Sequence, residues 1–177
     1  IKEIDNEIPQ GSKVLITYGG GSIKKNGVFD QVSNALVGYE WYQFGGIEPN
    51  PHYETCMKAA EFIKEKGIDF VLAVGGGSVI DATKFIVMAA CFSDGDPWLV
   101  MEKKATIKNA LPFGSVLTLA ATGSEMNNGG VITKAATQEK LAFGSPLVYP
   151  KFSILDPTTT YTLPPKQTSN GIVDTFV

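Results

Sequence analysis

Asp69 to Ala90 reads DFVLAVGGGSVIDATKFIVMAA, and its two halves ask for different structures. DFVLAV is a nearly continuous apolar run, as a central parallel strand needs when helices cover both its faces. Gly75, Gly76, Gly77 and Ser78 follow at once and lead into the apolar segment Val79 to Ala90, which reads as a buried helix. Glycines at such a junction let backbone N–H groups approach a phosphate without side-chain obstruction, and the positive end of the helix adds to their field. The loop is neither Gly-x-Gly-x-x-Gly nor a P-loop with its Gly-Lys-Ser/Thr ending. A plainer reading is a tight turn with a capping box, since Ser78 and Asp81 have the required spacing.

Upstream, KVLITY (Lys13 to Tyr18) is a short β-branched run ending at Gly19, Gly20, Gly21 and Ser22, so a strand followed by GGGS occurs twice, as LITYGGGS and LAVGGGS. Val28, Val32, Ala35 and Leu36 recur at helical spacing between Gly27 and Val37, and YEWYQF (Tyr39 to Phe44) has strand character until Gly45 and Gly46 break it. Asn50 and Pro51 suit an N-cap and a first helical position, after which Tyr53, Cys56, Met57, Ala60 and Ile63 share one helical face. Downstream, a polar, lysine-bearing stretch spans Met101 to Lys108. FGSVLTL (Phe113 to Leu119) and FSILD (Phe152 to Asp156) read as strands, and GGVITK with KLAFGS as an antiparallel hairpin. Asp156-Pro157 and Leu163-Pro164-Pro165 read as helix starts, so the chain ends inside a helix beginning near Pro164. Strands alternating with helices predict a doubly wound, mainly parallel α/β sheet of Rossmann-like type, with ligands beyond the carboxyl ends of its strands.

With 177 residues, 44% of them hydrophobic, and a net charge of -3, the chain suits one compact domain. Its 15 basic residues are all lysines and are scattered, which leaves no basic stripe and excludes nucleic acid as an expected partner. Without arginine, phosphate binding falls to lysine, hydroxyls, backbone N–H groups and helix ends. Cys56 and Cys91 are too few and too isolated for a disulfide framework or a thiolate metal site. There is neither a charged-then-apolar leader nor an apolar run of roughly 18 residues, so the expectation is a cytoplasmic protein without membrane attachment.

VGGGSVIDATK (Val74 to Lys84), LTLAATGSE (Leu117 to Glu125), LDP followed by TLPP (Leu155 to Pro165) and the closing NGIVDTFV (Asn170 to Val177) stand in order. Together they resemble the iron-containing alcohol dehydrogenases, especially the NADPH-using butanol dehydrogenase and aldehyde reductase branch, from about Lys13 to Val177. The resemblance implies a dehydroquinate synthase-like dinucleotide-binding domain over residues 1–163. Residues 164–177 would then begin the first helix of an all-helical domain absent from this chain. It further implies hydride transfer between NADP(H) and an alcohol or aldehyde, a divalent metal (iron or zinc) between the domains, and a homodimeric full-length enzyme. Asp174 matches one metal ligand; the histidine expected four residues later lies beyond Val177, and other ligands belong to the helical domain. No residue of this chain is assigned a catalytic role, so it is expected to hold NADPH without turnover.

The resemblance places Gly20, Gly21 and Ser22 against the adenosine ribose, with Lys24 or Lys25 adding positive charge. NAD-preferring relatives carry an acidic side chain at the position of Gly20. A carboxylate there would repel a 2′-phosphate by about 4 kcal/mol at ~4 Å and an effective dielectric constant of ~20, before screening. Asn50 matches an asparagine near the adenosine; Gly76, Gly77, Ser78 and Asp81 belong to the pyrophosphate loop and its helix. Thr118 and Thr122 match threonines along the pyrophosphate and nicotinamide ribose, while Thr133, Lys140 and Leu155 match further cofactor contacts, the leucine as a wall. His52, the only histidine, matches no ligand position and reads as a surface or capping residue. Two alternatives stand beside this reading: an NAD-using glycerol dehydrogenase or dehydroquinate synthase-like enzyme, which Gly20 argues against, and a non-catalytic nucleotide-binding module.

Overall fold

The computed structural model describes residues 1–176. Its strands are β1 (Lys13–Tyr18), β2 (Glu40–Phe44), β3 (Phe70–Gly75), β4 (Phe113–Leu117), β5 (Gly129–Lys134), β6 (Glu139–Gly144) and β7 (Ser153–Ile154). Its helices are α1 (Ile4–Glu7), α2 (Ser22–Lys25), α3 (Val28–Ala35), α4 (Tyr53–Lys66), α5 (Gly77–Cys91), α6 (Trp98–Met101) and α7 (Pro165–Phe176). Five strands form one parallel sheet in the order β2-β1-β3-β4-β7, while β5 and β6 make a separate antiparallel hairpin. This is the doubly wound Rossmann-like α/β architecture expected from the alternation of patterns.

Every residue of β3 is buried, because both of its faces are covered. Phe70, Leu72 and Val74 pack with Val14 and Ile16 of β1 beneath Val28, Val32 and Leu36, whereas Val71 and Ala73 join Leu15 under Ala59, Ala60 and Ile63 of α4 and Ile80, Phe85 and Ile86 of α5. The chain thus leaves β1 toward one face and β3 toward the other although these strands are neighbours. Such a reversal opens a crevice at the carboxyl ends of the two strands. Both GGGS loops hang over it.

α5 lies between the sheet and the hairpin, which is why it is apolar on all sides rather than along one stripe. Its Thr83 Oγ1 donates to the Val79 carbonyl at 2.8 Å and lies 2.7 Å from Thr17 Oγ1 of β1, a buried hydroxyl pair that fixes the helix on the sheet.

Several local expectations yield to tertiary pairing. Asn50 does not cap α4. It adopts φ 55°, its Oδ1 accepts from Lys140 Nζ at 2.8 Å, and His52 occupies the N-cap position without a side-chain cap bond. Pro51 is outside the helix, and its carbonyl accepts the Thr133 N–H at 2.9 Å. The strand expected over Phe152 to Asp156 is the two-residue β7, because the Asp156 carboxylate accepts the Thr158 N–H and turns the chain into a 3-10 segment, Pro157–Thr160. The helix anticipated near Pro164 begins at Pro165. The sequence gives no sign of the short helices α1, α2 and α6, since four residues are too few to show a helical period.

Candidate functional site

The first loop, Gly19 to Ser22, closes β1. The Gly46 N–H donates to the Gly19 carbonyl at 3.0 Å and the Ile47 N–H to the Tyr18 carbonyl at 3.2 Å, which lays the chain after β2 beside it. Gly21 sits at φ 90°, a left-handed conformation that a side chain would strain. Gly20 is different: its backbone is not left-handed, and a Cβ there would meet nothing within 4 Å. Neither the fold nor packing requires glycine at that position. Of the two neighbouring lysines, Lys24 is engaged by the protein, donating to Gln43 Oε1 at 2.8 Å with its Nζ 4.9 Å from the ring centres of Tyr18 and Phe29. Both lysines are exposed, so either can add charge beside the loop.

The second loop is pressed onto the turn after β4. A Cβ at Gly77 would lie 2.6 Å from Thr122 Oγ1 and 3.3 Å from Ser124 Oγ, so only glycine lets the backbone approach these hydroxyls, which are themselves 2.9 Å apart. The Thr118 N–H donates to the Gly75 carbonyl at 3.0 Å, joining the ends of β3 and β4. The structure therefore brings Gly76, Gly77, Ser78, Thr118 and Thr122 together beyond the carboxyl ends of β3 and β4.

The capping-box reading of Ser78 and Asp81 is overturned. Gly76 is the N-cap, with no side-chain cap bond, and Ser78 already lies within α5. Asp81 Oδ2 instead accepts the Val131 N–H at 3.1 Å across the gap to the hairpin. Its Oδ1 is buried and makes no hydrogen bond of acceptable geometry among the described residues, although the Ser124 hydroxyl lies close to the carboxylate. Burial pushes the Asp81 carboxyl above its ordinary range, opposed by the Ser124 hydroxyl, the Val131 N–H and the Lys84 ammonium. A buried acceptor left open beside a glycine cradle suits a ligand hydroxyl or amide.

Asn50, Thr133 and Lys140 meet at another part of the rim. Thr133 pairs with Lys140 across the hairpin and bridges to His52, while Lys140 donates to Asn50. Leu155 is exposed and lines a cleft of about 320 Å³ with Leu117, Ala120, Glu125, Asp156 and Thr160. His52 is half-buried, its Nδ1 3.7 Å from Glu48 Oε1.

Asp174 is exposed on α7, a helix that rests on the turn after β4 where Gly171 meets the Ala120 carbonyl. A second cleft, about 510 Å³, lies between them, lined by Leu119, Ala120, Leu163, Ile172 and Phe176. Among the described residues, no group of three or more His, Cys, Asp or Glu side chains could hold a metal ion, so Asp174 stands without companion ligands. No helix among the described residues is long and apolar enough to cross a membrane.

The sequence alone does not single out Lys84. It is fully buried, and its Nζ donates to Asn127 Oδ1 at 2.7 Å and to the Gly129 carbonyl at 2.6 Å. The available signal was an ionisable pair, Asp81 and Lys84, three residues apart in an otherwise apolar helix.

A family model described as iron-containing alcohol dehydrogenase matches residues 1–157. The chain is 54% identical over 179 residues to the NADPH-dependent aldehyde reductase YqhD of Escherichia coli, covering 100% of this chain and 46% of that protein. It is 56% identical over 168 residues to the probable NADH-dependent butanol dehydrogenase 1 of Bacillus subtilis, covering 94% and 43%. The crystal structure of NADH-dependent butanol dehydrogenase A from Thermotoga maritima aligns with TM-score 0.94 at 46% identity, covering 98% of this chain and 44% of that one. The chain thus spans less than half the length of each of these relatives.

Proposed function

Since the chain belongs to the iron-containing alcohol dehydrogenase family, we propose that it is the cofactor-binding part of an enzyme transferring hydride between NADP(H) and an alcohol or aldehyde. The proposal divides it into a dinucleotide-binding domain, residues 1–163, and the first helix of a helical domain, residues 164–177. The observation that carries the cofactor reading is the pair of glycine loops on adjacent strands of the switch point, one held open at Gly20 and the other backed by Asp81 Oδ1, buried without a hydrogen bond among the described residues.

In this reading the N–H groups of Gly76, Gly77 and Ser78, at the positive end of the 15-residue α5, neutralise the pyrophosphate. Thr118 and Thr122 orient the phosphates and nicotinamide ribose, and Asp81 Oδ1 accepts from the ligand. Gly20, Gly21 and Ser22 surround the adenosine ribose phosphate, Lys24 or Lys25 supplies charge, and Asn50, Thr133, Lys140 and Leu155 border the ligand. When bound, the nicotinamide supplies the hydride donor or acceptor. Asp174 contributes one ligand to a divalent metal, iron or zinc, completed by residues of the full-length enzyme. That enzyme is proposed to be a cytoplasmic homodimer.

The relatives divide by name between NADPH-dependent and NADH-dependent enzymes, so the preference for the phosphorylated cofactor rests on Gly20. Titrating the chain with NADPH and NADH while following nicotinamide fluorescence is expected to give the lower Kd for NADPH and no alcohol turnover. Tighter binding of NADH would overturn the preference, and measurable alcohol oxidation would overturn the division of labour.

Asp81→Asn provides a second test. The amide keeps an acceptor for the Val131 N–H and removes a buried charge, so stability at neutral pH is expected to hold or rise while NADPH affinity falls about tenfold, the difference between a charged and a neutral acceptor. The sign follows from linkage. The folded-state pKa of Asp81 is raised, so its favourable contribution is present below the unfolded value near 3.8 and is lost as pH rises through the folded value. Urea unfolding at pH 4 and pH 7 should show a smaller loss with rising pH in the variant. Full retention of NADPH affinity would remove Asp81 from the site.

A further inference from the structure

α5 offers two side chains to the outer edge of β5, one turn apart on the same helical face. Asp81 Oδ2 accepts the Val131 N–H at 3.1 Å, and Lys84 Nζ donates to the Gly129 carbonyl at 2.6 Å. The Pro51 carbonyl accepts from Thr133 on the same edge at 2.9 Å. Residues 129, 131 and 133 are the positions whose backbone groups point away from β6, so without these partners they would be an unpaired strand edge. Lys84 makes a further bond at 2.7 Å to Asn127 Oδ1, which also accepts the Gly129 N–H at 3.0 Å. That segment follows directly from the Thr122–Ser124 turn against which Gly77 rests.

A neutral side chain could tie a helix to a strand. A fully buried ammonium is costly, and here its two bonded partners are uncharged oxygens, so the fold alone is a weak reason for a charge. The charge lies one turn from the carboxylate with the open acceptor and on the helix whose first residues form the phosphate cradle. Resting on the cofactor reading above, we propose that Lys84 is a positioning residue of the dinucleotide site: its ammonium locks α5 to the Asn127–Gly129 segment, and so holds Asp81 and the Thr122–Ser124 turn where the cofactor meets them.

The groups facing this ammonium are Asp81 on α5, Glu125 in the 3-10 turn Ser124–Met126, and the oxygens of Asn127 and Gly129 at the entry to β5. Burial lowers the Lys84 pKa to about 8, while Asp81 and Glu125 pull it upward. Its charge therefore changes within a range where binding can be measured.

The test compares the wild-type chain with Lys84→Met, which keeps an unbranched side chain one heavy atom shorter and removes the charge. NADPH affinity of the wild type is expected to weaken as pH rises through about 8. Lys84→Met is expected to bind about tenfold more weakly at pH 7, as for loss of a charge-assisted link, and to show no step in that range. In Asp81→Asn the step should move to lower pH, because a neighbouring negative charge has been removed. Independently of NADPH, the 13Cγ titration of Asp81 should move upward and amide exchange at Val131 should accelerate in Lys84→Met. A folded Lys84→Met with wild-type affinity and pH profile overturns the proposal, as do an unmoved Asp81 titration and unchanged exchange at Val131. Should Lys84→Met fail to fold, the wild-type profile decides, and a flat one overturns the proposal. If the wild type binds no NADPH, the cofactor reading falls, while the Asp81 and Val131 measurements still judge the Lys84 lock.

Discussion

Replacing Gly20 with aspartate is expected to lower NADPH affinity on the order of 100-fold relative to NADH. A carboxylate ~4 Å from a 2′-phosphate at an effective dielectric constant of ~20 costs about 4 kcal/mol per pair of unit charges. Salt reduces this at an exposed site, and about 2.8 kcal/mol corresponds to a hundredfold change in Kd. The fold should not respond, because Gly20 is exposed, its backbone is not left-handed, and the new Cβ meets nothing within 4 Å. Gly20→Asn supplies the same bulk without the charge and should keep most of the preference for NADPH. Fluorescence titrations of both cofactors against the three proteins decide the matter. A Kd ratio that stays constant in Gly20→Asp would mean that the first loop does not read the 2′-phosphate.

Phe85→Ala should cause the largest loss of stability, about 3–5 kcal/mol, the range for removing a fully buried phenylalanine and leaving a cavity. Phe85 packs edge to face against Tyr53 of α4 at 5.8 Å and against Phe143 of β6 at 5.8 Å, so one ring joins the helix over the sheet to the hairpin. Phe85→Leu retains most of the volume and should cost less. Urea midpoints measured at constant m-value give the comparison. Because the same ring holds α5 beneath its glycine loop, Phe85→Ala should also weaken NADPH binding under conditions where the protein remains folded. A change below about 1 kcal/mol would show that α5 is held chiefly by other contacts.

Much of the candidate site is legible in the sequence because its parts are local. Gly76 and Gly77 were readable from a strand running straight into a glycine loop and a helix, and Gly20 from its repetition after β1. The resemblance names Asn50 and Lys140 separately; the structure joins them through a hydrogen bond that no spacing could announce across 90 residues. The capping role given to Ser78 and Asp81 failed because their spacing also fits a helix that presents Asp81 to a neighbouring strand. Lys84 is not legible within its apolar segment, because a lysine by itself discloses neither its burial nor its acceptors.

Residue order alone determined the longer strands and helices, where the glycine loops fall between them, and that the sheet is mainly parallel and doubly wound. These properties depend on side-chain periods and turn chemistry acting over a few residues. Tertiary structure decided the partners of Asn50, Asp81 and Lys84, and with them the shape of the crevice. The physical reason is the exposed edge of β5: its backbone groups must be satisfied wherever the chain can supply donors and acceptors, and Pro51, Asp81 and Lys84, distant in sequence, are the residues that the fold carries there.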